Sequence, residues 1–303
     1  MMESGSPGRR HPRRGQPILV TGVPRSGTTW LARFLAGSPG TALAGREPMN
    51  PRGRQYALGG TLAGWARLTD PTPRQRRLLR SAYRGWNPWV YSRFGTRQWA
   101  GPLPWTRLVV KDPFAMLSLP SVVRATGALP VLVYRHPGAV LASYRRMQWQ
   151  PDLEELAAIV ADVRASGDGQ QLPDLPARGE ASPAEEMGLF WSVLHELALT
   201  DAEQSGVVVV SHSELATGGI AAGSTLAGRL GLSWSPAMAE ELSNEAPSAP
   251  PVRSEKLHNF DRAPAAVAEE WRTKLSSLDI ERIEAVTQRT RARLESDRIV
   301  LGS

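Results

Sequence analysis

Short unbroken runs of apolar residues dominate the hydrophobic pattern of this chain. Residues 17–21 (PILVT), 107–111 (RLVVK), 130–135 (PVLVYR) and 206–211 (GVVVVS) each hold at least three consecutive aliphatic positions, and residues 41–45 form a weaker fifth run. Continuous rather than alternating apolar residues suit parallel strands buried on both faces. Helical patterns lie between the runs. Residues 28–36 predict one helix, ended by Gly37 and Pro39, and residues 138–147 predict another. Ser182-Pro183-Ala184-Glu185 reads as a helix start, with a serine cap, a first-turn proline and a capping-box Glu. Met187, Phe190, Trp191, Leu194 and Ala198 then keep one apolar face. Residues 264–275 and 279–294 predict closing helices. Strands alternating with helices imply βαβ units. The expected fold is α/β, with a central, mostly parallel sheet of about five strands flanked by helices in three layers.

Three stretches break the pattern. Residues 56–105 carry five of the ten tryptophans among many Arg, Gly and Pro residues, and residues 165–181 and 244–262 are polar and rich in Pro or Gly. A length of 303 residues is compatible with two domains of roughly 150 each. No repeat or clean linker divides the chain, so one domain over residues 17–303 is expected, with insertions at about 56–105 and 165–181. Residues 1–16 carry basic charge without an apolar core segment and read as a disordered tail rather than a secretory signal. No apolar run reaches the length of a membrane span.

Composition narrows the chemistry. The chain has no cysteine, which excludes disulfides, thiolate metal sites and cysteine nucleophiles, and agrees with a cytoplasmic setting. Net charge is +7, from 36 Lys and Arg against 29 Asp and Glu. Only Lys111, Lys256 and Lys274 are lysines. Arginine is suited to gripping phosphate in a bidentate fork, so a small polyanion and nucleic acid are both compatible with this balance.

The segment Gly22-Val23-Pro24-Arg25-Ser26-Gly27-Thr28-Thr29-Trp30 follows the first strand and opens a helix. Unpaired amides and the dipole at a helix start favour an anion, and glycines let the backbone approach it closely. The hydroxyls of Ser26, Thr28 and Thr29 add donors, and Arg25 adds charge. The spacing is near that of the Walker loop, but Thr28 stands where that motif has its lysine. A kinase or nucleotidase using ATP and magnesium would therefore lack its usual grip on the β- and γ-phosphates. Asp112, at the end of a strand, is the main support for that alternative.

GVPRSGTTW resembles the 5′-phosphosulfate loop of the sulfotransferases that use 3′-phosphoadenosine 5′-phosphosulfate (PAPS). Val133-Tyr134-Arg135-His136-Pro137, with Ser143 eight residues after Arg135, is similar to the same family's 3′-phosphate element. Val110-Lys111-Asp112-Pro113-Phe114 is a third match, and together the three look most like the tyrosylprotein sulfotransferase branch and its bacterial relatives. They fall in about residues 17–147 and imply a P-loop-like fold. The resemblance implies PAPS as co-substrate and 3′-phosphoadenosine 5′-phosphate (PAP) as product, with no metal. It places Arg25, Ser26, Gly27, Thr28 and Thr29 on the 5′ end of the donor, and Arg135 and Ser143 on the 3′-phosphate. Trp30 either packs on the adenine, as in cytosolic members, or fills a helix core position.

Sulfuryl transfer needs a base for the acceptor proton and positive charge at the leaving oxygen. Glu47 follows the second predicted strand and so opens at the edge of the phosphate loop. The resemblance makes Glu47 the general base and puts Lys111, with Arg25, on the transferring group. A solvated loop acid at Glu47, and an ion pair between Lys111 and Asp112, are the plain alternatives. His212, after the last strand, is another candidate base. The family's usual Tyr-Glu-Asp-Leu is replaced there by His212-Ser213-Glu214-Leu215, and its late basic glycine loop is matched only loosely by Arg253, Ser254, Lys256 and Arg262.

The expected function is thus PAPS-dependent sulfation of a hydroxyl or amine. A nucleic-acid-binding protein is disfavoured because the basic residues are scattered and no known binding motif is present. The acceptor can be a small molecule, glycan, lipid or peptide. Trp86, Trp89, Trp99 and Trp105 border it if they do not simply pack the insertion. Oligomeric state is not readable.

Overall fold

The computed structural model describes residues 15–44, 47–51, 57–84, 106–177, 179–243 and 269–301. Five strands form one sheet: β1 (Ile18–Thr21), β2 (Thr41–Ala44), β3 (Arg107–Lys111), β4 (Leu129–Tyr134) and β5 (Val208–Ser211). Their spatial order is β2-β3-β1-β4-β5. Every neighbouring pair is parallel, and Val20 of β1 lies opposite Lys111 on one side and Val131 on the other.

The apolar runs make this sheet because both faces are covered. Leu19, Leu108, Val110, Leu132 and Val209 point into one core, and Ile18, Val20, Val109, Val131, Val133 and Val210 into the other. The helices, in chain order, are α1 (Thr28–Ala36), α2 (Pro73–Tyr83), α3 (Leu119–Thr126), α4 (Pro137–Met147), α5 (Leu153–Ala165), α6 (Pro183–Thr200), α7 (Ala202–Ser205), α8 (His212–Arg229), α9 (Pro236–Leu242) and α10 (Ser277–Asp297). Helices α1, α8 and α9 fill the second core, while α2–α6 and α10 fill the first. The result is the expected three-layer α/β arrangement with an all-parallel sheet.

Local signals account for several boundaries. At α6 the Ser182 amide donates to Glu185 Oε2 at 2.8 Å, which closes the capping box. Helix α2 has the same device, from Thr72 and Gln75, and turns Leu79, Ala82 and Tyr83 into the first core. Of the expected closing helices, residues 279–294 fall inside α10. The described part of 264–275 forms only a 3-10 turn at Glu270–Thr273, seated by Trp271 stacking on His136 with ring centroids 4.2 Å apart. Residues 1–14 of the expected tail, the four tryptophans between 86 and 105 and the whole of 244–262 lie outside the described residues. Gln16 is anchored: its side chain donates to the Gly127 carbonyl at 2.9 Å, and its own carbonyl accepts from Arg107 Nε.

Beyond α10 the chain passes along β5 at the edge of the sheet. The Ile299 amide donates to the Val209 carbonyl at 3.0 Å, and the Leu301 amide to Glu214 Oε1 at 2.8 Å. Arg298 pairs with Glu214 and Glu295.

The site follows from topology. From β1 the chain moves to β2 and β3 on one side, then returns to β4 on the other. Ligands of open α/β sheets bind beyond the carboxyl ends of the strands at such a switch point.

Candidate active site

The loop after β1 is shaped by what surrounds it. A Cβ on Gly22, where φ is 150°, would stand 2.2 Å from the Val133 carbonyl of β4. Gly27, at φ 90°, is the N-cap of α1 and has the His212 ring against it, so a Cβ there would fall 2.3 Å from His212 Cδ2. No side chain caps α1, which leaves its first-turn amides facing the crevice. Arg25 is held at φ 77°, a conformation costly for a residue with a side chain. The hydroxyl of Ser26 is buried with no hydrogen-bond partner among the described residues.

Charge converges on this crevice. Arg25 Nε donates to Ser143 Oγ of α4 at 2.9 Å, and its guanidinium lies 6.0 Å from the ring centre of Trp149. Burial, then the charges of Arg25 and Arg146, push Arg135 down to about 10. Burial and Arg146 likewise lower Arg25. Guanidiniums crowded in this way are suited to take an anion, because a bound negative charge offsets the like-charge repulsion on Arg25 and Arg135. The Arg135 carbonyl is fixed from below by the indole N–H of Trp191 in α6, at 3.1 Å. His136, beside Arg135, accepts from the Gly138 amide at 3.2 Å and so caps α4.

A second group stands at the ends of β2 and β3. Lys111 forms an ion pair with Glu47, and Asn50 Nδ2 donates to the same carboxylate. Lys111 therefore pairs with Glu47 rather than with Asp112. Asp112 is fully buried. Its Oδ2 accepts from the Met49 amide at 2.6 Å and its Oδ1 from the Phe114 amide at 3.1 Å. Its carbonyl accepts from Thr21 Oγ1 at 2.8 Å, at the foot of the phosphate loop. Burial, then the Glu47 charge, push the Asp112 carboxyl up to about 8. With both oxygens engaged by main-chain amides, this carboxylate is not presented to magnesium, and the kinase alternative is not favoured.

Residues 17–165 match the model of the sulfotransferase family. Over those residues, just under half of the chain, it is similar to the sulfotransferase family. No curated protein matches the chain. Among solved structures, a sulfotransferase domain from the curacin biosynthetic pathway is similar at 14% identity and a TM-score of 0.50, over 90% of this chain and 98% of that one. It shows a shared fold. A sulfotransferase from Alicyclobacillus acidocaldarius aligns at 13% identity and a TM-score of 0.40, over 90% of this chain and 96% of that one.

The sulfotransferase match contains every expected site residue. Of the expected residues, Arg25 in the loop after β1 bonds to Ser143 and lies within charge range of Arg135, and Glu47 pairs with Lys111 at the ends of β2 and β3. Trp30 is half-buried, with its indole N–H on the Glu241 carbonyl at 2.9 Å and its ring 5.1 Å from that of His212. His212 lies beneath Gly27 rather than beside Glu47. Burial and the Arg135 charge push its imidazole down to about 3. Sequence reasoning missed Arg146, Asn50, the tie from Trp191 and the bonds of Asp112. Arg146 had a signal, since it follows Ser143 by three residues and shares its helix face. The others are long-range contacts with no local signature.

Proposed function

We propose that this chain transfers the sulfuryl group of PAPS to a hydroxyl or amine acceptor, in line and with Glu47 as general base. The observation that carries the reading is the crowding of Arg25, Arg135 and Arg146 at the β1–β4 crevice, one loop away from the Glu47–Lys111 pair. The residues fit a nucleotide with anionic groups at both ends. The loop amides, Ser26, Thr28, Thr29 and Arg25 receive the 5′ end. Arg135, with Ser143, receives the 3′-phosphate, whose charge of about −1.5 to −2 answers the guanidinium cluster. Trp30 borders the base. Glu47 takes the acceptor proton as the bond from acceptor to sulfur forms. The bond from sulfur to the bridging oxygen breaks, and its electron pair stays on the leaving phosphate oxygen. Lys111 and Arg25 stabilise the charge gathered there.

The tyrosylprotein-like motifs concern donor and chemistry, so the acceptor class stays open among small molecules, glycans, lipids and peptides. Among the described residues no helix is long and apolar enough to cross a membrane. The cysteine-free sequence fits a cytoplasmic enzyme.

Thermal unfolding with PAP, compared with ATP plus magnesium, tests the donor assignment. At 100 times its dissociation constant a ligand adds about 2.7 kcal/mol, a rise in Tm on the order of 2–4 °C or more. PAP should raise Tm without added metal. A rise with ATP and magnesium alone would put the kinase reading first.

A further inference from the structure

We propose that Asp112 is a positioning residue for sulfuryl transfer: its carboxylate tethers the turn that carries Glu47 to the end of β3, independently of the Glu47–Lys111 ion pair. The inference rests on Glu47 being the base. Glu47 sits at the head of a turn closed on itself by the Asn50 amide, which donates to the Glu47 carbonyl at 3.2 Å, and by the Asn50 side chain on the Glu47 carboxylate. Two described contacts fasten this turn to β3. One is the ion pair from Glu47 to Lys111. The other is the bond from the Met49 amide to Asp112 Oδ2.

These two contacts behave differently during the reaction. When Glu47 takes the acceptor proton it loses its charge, and its attraction for Lys111 goes with it. Lys111 is then released to the leaving oxygen, as the transfer requires. The ion pair therefore cannot hold the base in place at the moment the base acts. The Asp112–Met49 bond can, because it involves a main-chain amide and neither reacting side chain. Asp112 is itself well fixed. Its amide donates to the Val20 carbonyl at 2.9 Å, its carbonyl accepts from Thr21, and Oδ1 accepts from the Phe114 amide. One residue thus ties together the foot of the phosphate loop, the Lys111 strand and the Glu47 turn. The groups facing the buried carboxyl are Glu47 on the turn after β2, Lys111 on β3 and Tyr83 on α2. The Tyr83 hydroxyl is buried with no hydrogen-bond partner among the described residues. Asp112 in either protonation state keeps lone pairs for the Met49 amide, so the tether persists whichever of the two carboxyls holds a proton.

The test uses the full chain and needs no known acceptor. Turnover of bound PAPS to PAP with water as acceptor is followed in the parent, Asp112→Ala, which leaves no acceptor for the Met49 amide, Glu47→Gln and the double variant, together with PAP affinity and exchange of the Met49 amide. Asp112→Ala should slow turnover by about tenfold or more, with PAP affinity within about twofold of the parent. It should cost nothing further in the Glu47→Gln background, since a residue acting through Glu47 is silent once Glu47 is gone. A merely structural role would lower PAP affinity as well and would cost the same factor in both backgrounds. Either that equal cost or an unchanged rate overturns the proposal. Exchange at Met49 gives a second reading that survives if Asp112→Ala does not fold. Protection should persist in Glu47→Gln, and its loss there would show that the ion pair holds the turn. If no variant turns PAPS over and PAP does not raise Tm, the donor assignment fails on its own, while Met49 exchange still judges the tether.

Discussion

In the proposed reading, Arg135 supplies a large share of the affinity for PAP. It is half-buried and crowded by Arg25 and Arg146, which with burial push it down to about 10 against the opposing charges of Glu270 and Glu269. Arg135→Ala should weaken PAP binding by about 1.5–3 kcal/mol, the size of a lost charge-assisted contact. Calorimetric titration with PAP checks this, and an unchanged dissociation constant would remove Arg135 from the site. Ser26 is the complementary case. Its buried hydroxyl has no partner among the described residues, and an orphaned donor of that kind is costly unless a ligand oxygen accepts from it.

At the scale of elements, the loop between β1 and α1 depends on two close approaches, of Gly22 to the Val133 carbonyl and of Gly27 to the His212 ring. Gly27→Ala sets a methyl group within the His212 ring and places a side chain at φ 90°. It should destabilise the chain by about 1–3 kcal/mol and weaken PAP binding together with it. Differential scanning calorimetry with and without PAP measures both, and a variant as stable as the parent would show that the His212 ring moves freely. The five strands and the helices of residues 28–36 and 138–147 were legible because unbroken apolar runs and Gly or Pro stops are local signals. The turn from β1 into α1 and the place of Arg135 just after β4 were legible for the same reason. Helix α2 was hidden in the tryptophan-rich stretch: its pattern is mostly polar, with Leu79, Ala82 and Tyr83 buried in the core and Leu78 packed against it. The choice of Glu47 over Asp112 as partner for Lys111 was not legible. Asp112 adjoins Lys111 in sequence, but its carboxylate is taken by amides from two other turns. Such contacts exist only once β2 and β3 lie side by side.

The whole molecule carries an opposed pair of pH responses. His136, His195 and His212 are held at about 3, 4 and 3, in each case chiefly by burial. A histidine with a depressed folded value keeps its full stability above its unfolded value near 6.5 and loses it as pH falls, because the unfolded chain then binds the proton more readily. Asp112 acts the other way. Its folded value of about 8 exceeds the ordinary 3.8, so its contribution is complete below 3.8 and is lost as pH rises through 8. Denaturant unfolding across pH 4–8 should therefore show three histidine contributions growing with pH up to about 6.5 and one Asp112 contribution shrinking throughout. Asp112→Asn should remove only the second. An unaltered slope between pH 6.5 and 8 in that variant would show that Asp112 is ionised in the folded chain.

The strip along β5 has a consequence for synthesis. Val209 offers its carbonyl at the sheet's margin until Ile299 covers it, and Ile299 is made some ninety residues later, after the rest of the described sheet. A nascent chain halted between α9 and α10 thus presents a bare row of strand groups, an invitation to pair with the same row on a neighbouring chain. Translational pauses in that interval should raise the aggregated fraction, and supplying residues 277–301 as a separate peptide should lower it.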